Sequence, residues 1–157
     1  MLLIGAPGLA AAPLPGTPPA PDFTLKSIQG DNLRLAEYRG QVVMLAFLKN
    51  RCRACEQQLH ALNALHQRYA DQGLRVFALA TDLDLGEAKA TAVGLRLDFP
   101  ILIDRDKMIA PRYQIDLMPA LVLVDKDGKQ RYLHKGYRDT DEAEYEKELR
   151  QLLSEWQ

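Results

Sequence analysis

Cys52 and Cys55 are the only two cysteines among 157 residues, and they sit in the run Lys49-Asn50-Arg51-Cys52-Arg53-Ala54-Cys55-Glu56. At the start of a helix this spacing sets their Cα atoms about 5 Å apart, inside the window of a disulfide. One fold can then hold the pair as dithiol or as disulfide with little movement. A disulfide closing so short a loop removes little unfolded-state entropy, about 2 kcal/mol. The pair therefore reads as chemistry and not as bracing.

The two sulfurs are not equivalent. Cys52 is expected in the first turn, where free backbone N–H groups and the helix dipole favour a thiolate. Lys49, Arg51 and Arg53 add positive charge nearby. Such conditions bring a thiol below its ordinary value of about 8.5. Cys55 falls on the apolar stripe of the same helix, where burial acts in the opposite direction. Cys52 is thus the expected nucleophile and carrier of a mixed disulfide, and Cys55 the resolving thiol. Half a zinc site reads the same way, but zinc needs two further ligands. His60 and His66 are six residues apart, and His60 points roughly 140° away from Cys55 on a helical wheel. His134 lies far along the chain. No metal site is expected.

The elements that position the pair follow from periodicity. Val42 to Leu48 is a run of seven apolar residues, as in a strand buried on both faces. From Cys52 to about Asp71, Cys55, Leu59, Leu62, His66 and Tyr69 recur at helical spacing, with Leu65 adjoining, and Gly73 closes the helix. Leu74 to Ala80 is a second inner strand. Asp82 to Gly94 reads as a helix capped by Asp82 or Asp84. Phe99 to Ile103 is a short strand and Lys107 to Tyr113 a short helix. Ala120 to Val124 and Gln130 to Lys135 form a hairpin across Asp125-Lys126-Asp127-Gly128. Asp139 to Trp156 is a last amphipathic helix with Ala143, Leu149, Leu152 and Leu153 inward and an acidic, solvated outer face. Before all of these, a strand opening at Asp22-Phe23-Thr24-Leu25 turns through Ser27 to Asn32 and returns at Leu33-Arg34-Leu35. The order predicts an α/β fold: a central mixed sheet flanked by helices, with an N-terminal β-hairpin.

Length suits one domain with a full core. A net charge of −1 carries no nucleic-acid footprint. After the first dozen residues no apolar run is long enough to span a bilayer. Met1 to Ala12 is apolar and rich in small residues, like the end of a secretory signal, although a charged leading region is missing. Pro13 to Pro21 holds five of the nine prolines and reads as an extended linker. Residues 1–20 are accordingly expected to be signal remnant and linker without order, and residues 21–157 the folded domain. A periplasmic or otherwise exported protein is expected.

Ala46-Phe47 ending a strand, C-x-x-C opening a helix and Met118-Pro119 before a strand together resemble the thioredoxin superfamily. Three further stretches resemble its exported TlpA/ResA-type branch, within the AhpC/TSA-like group. They are Ala20-Pro21-Asp22-Phe23-Thr24-Leu25, Phe99-Pro100-Ile101-Leu102-Ile103-Asp104 and Leu123-Val124-Asp125-Lys126-Asp127-Gly128. The likeness runs from about Pro21 to Leu153. It implies a thioredoxin-like fold and a protein-disulfide oxidoreductase whose redox-active disulfide needs no other cofactor. It also implies a cis Pro119 opposite the dithiol, with Met118 offering backbone hydrogen bonds to a partner and its thioether to the sulfurs. Substrate protein thiols or disulfides would be the partners, among them apocytochrome c thiols and cysteines of copper-site assembly proteins. A reductant would need a membrane thiol electron donor.

Several positions depart from that pattern. Arg51 replaces the usual tryptophan, Leu48 stands at the second position, and His60 replaces a helix-kinking proline. Ala46 and Gln58 stand where thioredoxins and ResA-like reductants carry acids. Cys55 is therefore expected to stay protonated well above neutral pH. The added cations are expected to shift the couple toward oxidising values. Two other functions use the same cysteines. A Cu(I) metallochaperone could add Met118 as a soft ligand. A thiol peroxidase would place its attacking cysteine at Cys52, but Lys49-Asn50-Arg51 lacks the threonine or serine and the proline of those enzymes.

Overall fold

The apolar run Val42–Leu48 is the centre of the sheet and is buried at every position. A computed structural model describes residues 16–82 and 84–156; the expected signal remnant at residues 1–12 lies outside them. Seven strands form one sheet in the order β2-β1-β5-β4-β3-β6-β7. They are β1 (Thr24–Ser27), β2 (Asn32–Arg34), β3 (Val42–Leu48), β4 (Leu74–Ala80), β5 (Ile101–Ile103), β6 (Ala120–Val124) and β7 (Gln130–Lys135). β3, β4 and β5 are parallel, and β1–β2, β1–β5, β3–β6 and β6–β7 are antiparallel. The helices are α1 (Arg53–Tyr69), α2 (Leu85–Gly94), α3 (Ile109–Arg112) and α4 (Asp141–Ser154).

Alternation along β3 divides the core. Val42, Met44, Ala46 and Leu48 meet Cys55, Leu59, Leu62 and Leu65 of α1 and Tyr145, Leu149 and Leu152 of α4. Val43, Leu45 and Phe47 meet α3 and the N-terminal residues Ala20, Phe23 and Leu35. Leu62 is fully buried in the first layer. Leu62→Ala is expected to lower the unfolding free energy by about 3 kcal/mol, read as a fall in denaturant midpoint at unchanged slope.

The expected strands and helices are present, with shifted ends. Asp84 caps α2 in a reciprocal capping box with Glu87, and Asp82 is free for another role. Leu35 opens a short 3₁₀ turn instead of ending β2. In α4, Ala143 is exposed, while Tyr145 and Glu148 turn inward with Leu149, Leu152 and Leu153. The inward face runs 145, 148, 149, 152, and Ala143 lies outside that stripe. The last part of the expected linker is ordered. Pro18 O accepts from Gln130 N–H at 2.8 Å, and Ala20 N–H donates to Gly128 O at 2.9 Å. Proline has no N–H to give, but its carbonyl still accepts.

Candidate active site

The chain leaves β3 at Leu48 and reaches α1 through Lys49, Asn50 and Arg51. Two hydrogen bonds shape this link. Asn50 N–H donates to Asp82 Oδ1 at 2.7 Å, and Asn50 Oδ1 accepts from Arg51 N–H at 2.9 Å. Arg51 takes a left-handed φ of +52°, at a cost of about 1 kcal/mol for an L-residue. Cys52 then resumes an extended backbone at φ −124°, ψ 98°.

Cys52 is the N-cap of α1 and not part of its first turn. Its Sγ accepts from Cys55 N–H at 3.1 Å. The sulfur thus does what a serine or aspartate oxygen does at other helix starts, satisfying one of the free N–H groups. Cys52 and Cys55 form a disulfide with Cα atoms 5.2 Å apart. Cys55 is 1% exposed, whereas Cys52 is half-buried. One sulfur is open to a partner and the other is closed off beneath it.

Lys49, Arg51 and Arg53 are all exposed, and none is in an ion pair among the described residues. Solvent screens their effect on the sulfur, which is worth less than about 1 kcal/mol for each exposed charge. The donor that touches Cys52 is the backbone N–H.

Met118 and Pro119 sit beside this loop. The β3–β6 register pairs Phe47 with Ala120, so its next step brings Pro119 level with Leu48. The Met118–Pro119 peptide is cis, and Pro119 O accepts from Gly136 N–H at 2.8 Å. Met118 Sδ accepts from Thr81 Oγ1 at 3.7 Å, and Thr81 also donates to Leu48 O. Thr81 joins the ends of β3, β4 and the Met118 loop. Nothing in its local sequence marks that role.

Gln58 is 1% exposed, one turn below Cys55, and its Nε2 donates to Tyr145 Oη at 3.1 Å. Burial raises the Tyr145 phenol above its ordinary value. Sequence reasoning identified Gln58 as a departure and missed the tyrosine that holds it. Glu56 and His60 are exposed. His66 packs edge-on to Phe99, and burial lowers its titration below the usual imidazole range. Among the described residues no group of three or more His, Cys, Asp or Glu side chains converges as metal ligands would.

The model of the AhpC/TSA family matches residues 17–133. Thiol-disulfide oxidoreductase ResA of Geobacillus kaustophilus is 33% identical over 129 residues, covering 80% of this chain and 72% of the relative. ResA of Geobacillus thermodenitrificans is 35% identical over 121 residues, covering 74% and 67%. Among solved structures, a thiol:disulfide interchange protein of DsbE type from Chlorobium tepidum superposes with a TM-score of 0.83. It is 28% identical and covers 88% of this chain and 97% of its own.

Proposed function

The chain belongs to the AhpC/TSA family and has a thioredoxin-like fold, and from that premise we propose that it is an exported thiol–disulfide oxidoreductase in which Cys52 attacks and Cys55 resolves. The observation that carries this reading is the contrast in exposure between the two sulfurs of one disulfide.

In the reducing direction the Cys52 thiolate attacks one sulfur of a partner disulfide. The S–S bond breaks, a mixed disulfide forms, and the partner's other sulfur leaves and takes a proton. Cys55 then loses its proton and attacks Cys52 Sγ. The Cys52–Cys55 bond forms and the partner is released with two thiols. Two electrons pass from the enzyme dithiol to the partner, and a thiol donor must return them. The same steps run in reverse oxidise a partner dithiol. An extended partner would lie against Met118 and Pro119, with apocytochrome c and copper-site assembly proteins as candidate substrates and a membrane thiol protein as donor.

Export is supported by the apolar, small-residue start of the sequence. The fold suits a protein held from that side. Pro18–Ala20 join the domain at the β6–β7 turn, next to the start of β3, while the dithiol follows its end. A strand of seven residues separates these poles by about 23 Å. An N-terminal attachment would therefore leave the dithiol facing away.

The test is a Cys55→Ser variant produced in cells. It is expected to accumulate mixed disulfides through Cys52 with proteins of the exported fraction, released by a small thiol. Recovery of no adducts, or of cytoplasmic partners alone, would overturn the proposal.

A further inference from the structure

The exchange reaction uses none of the three buried acids among the described residues, and two of them, Asp104 and Asp125, have both carboxylate oxygens hydrogen-bonded. Glu148, on the inward face of α4, is 3% exposed. Its Oε2 lies 2.6 Å from His134 Nε2 on β7, with side chains 4% and 10% exposed. Its Oε1 is buried with no hydrogen-bond partner among the described residues. A half-bonded carboxylate in a core is costly, so packing alone does not account for it.

The position of this pair links it to Cys55. Ala46 of β3 pairs with Leu121 of β6, and Leu121 with His134 of β7. Residues paired directly across strands point to the same sheet face. His134 therefore turns to the face that α1 and α4 cover and where Cys55 is buried. Its ring stands edge-on to Tyr145 at 4.7 Å, and the Tyr145 hydroxyl accepts from Gln58, one turn from Cys55. On its other side His134 lines a cleft of about 560 Å³ with Lys135, Tyr137, Arg138 and Asp141. The imidazole thus stands between an open cleft and the buried carboxylate.

We propose that His134 and Glu148 are a proton-exchanging positioning pair for the resolving step, drawing protons from the cleft and setting how readily Cys55 ionises. With one proton between Nε2 and Oε2 the pair carries a single negative charge. A second proton, on Nδ1, makes it neutral. When Cys55 gives up its proton to solvent, uptake of one from the cleft by the pair keeps the buried region at one negative charge instead of two. The thiolate attacks Cys52 Sγ, the Cys52–Cys55 bond forms, and the negative charge leaves on the partner's sulfur. The pair then returns its proton to the cleft. Among the described residues, Tyr132 from β7 and Tyr145 from α4 also face Glu148, and burial keeps both phenols protonated beyond their ordinary range. Gln58 from α1 is neutral.

This inference rests on Cys55 being the resolving thiol. Partner trapping tests that assignment, whereas the following titration reads the coupling with no partner present. In reduced Cys52→Ser protein, Cys55 is titrated by its thiolate ultraviolet absorbance. β7, which carries His134, lies two strand spacings or roughly 10 Å from β3, against which Cys55 packs, and this sets the scale of the charge separation. At an effective dielectric of about 20, adding Glu148→Gln should lower the Cys55 midpoint by about one pH unit. By reciprocity, the His134 ring resonances of the Cys52→Ser protein should show a step at the Cys55 midpoint. That step should vanish when Cys55 is also serine. An unchanged Cys55 midpoint in a folded Glu148→Gln protein overturns the proposal. So does a His134 titration indifferent to Cys55, which needs no substitution at the pair and decides the matter if Glu148→Gln does not fold.

Discussion

Cys52→Ser is expected to reduce disulfide exchange to the uncatalysed rate, while Cys55→Ser is expected to allow one rapid attack per molecule and then stop. Serine presents no thiolate at neutral pH, and exchange proceeds only by thiolate attack on sulfur. The second cysteine cannot substitute for the first, because Cys55 is 1% exposed and lies beneath its partner. Cys52 is half-buried and accepts the Cys55 N–H at 3.1 Å. A helix N-terminus favours an anion there by about 0.3–1 kcal/mol, rising toward 2 in partly buried geometry. Each exposed cation among Lys49, Arg51 and Arg53 contributes less. Neutralising any one of the three should therefore slow the attack by less than removing the helix-end geometry would. Steady-state turnover of a disulfide substrate and a single-turnover burst separate the two cysteine variants. A burst from Cys52→Ser, or sustained turnover by Cys55→Ser, would reverse the assignment of roles.

The asymmetry was legible because both of its causes are local. Seven apolar residues announce β3, and the change from a continuous run to a helical period places the cysteines at its end. The contacts that surround the pair were not legible, because their partners are distant in the chain. Gln58 and Tyr145 are 87 positions apart. Thr81 meets Met118 across 37. Glu148 belongs to a helix whose other acids are all partly exposed, and glutamate is rarely buried, so composition argues against its inward position. Tyr145 and Glu148 could have been found only by extending the Leu149 and Leu152 stripe backward at helical spacing. That stripe passes over Ala143, which is exposed. The prolines before Asp22 mislead in a different way. They look like a spacer because they cannot donate, yet Pro18 pairs through its carbonyl with β7.

Gln58→Glu should convert the neutral position below Cys55 into a pH-dependent liability, lowering stability by about 2 kcal/mol at neutral pH. Gln58 is 1% exposed and donates to Tyr145 Oη. An ionised carboxylate only accepts, so the tyrosine hydroxyl would have to turn and donate. That bond offsets part of the cost of burying the charge. The remainder rises because Glu148 already places a carboxyl in the same layer with one oxygen unpartnered. Burial and this neighbour both raise the folded-state pKa of the new carboxyl above its unfolded value of about 4.3. Between the two values the folded state binds more protons than the unfolded state, so stability falls as pH rises through that interval. The deficit should be small below about pH 4 and fully developed above the folded-state value. Urea midpoints of the two proteins at acidic and neutral pH measure it. A deficit equal at both would mean that lost packing, not charge, sets the cost. The expected pH dependence instead makes glutamine the residue that adds no charge to this layer beside Cys55, leaving Glu148 and His134 as its buried acid–base pair among the described residues.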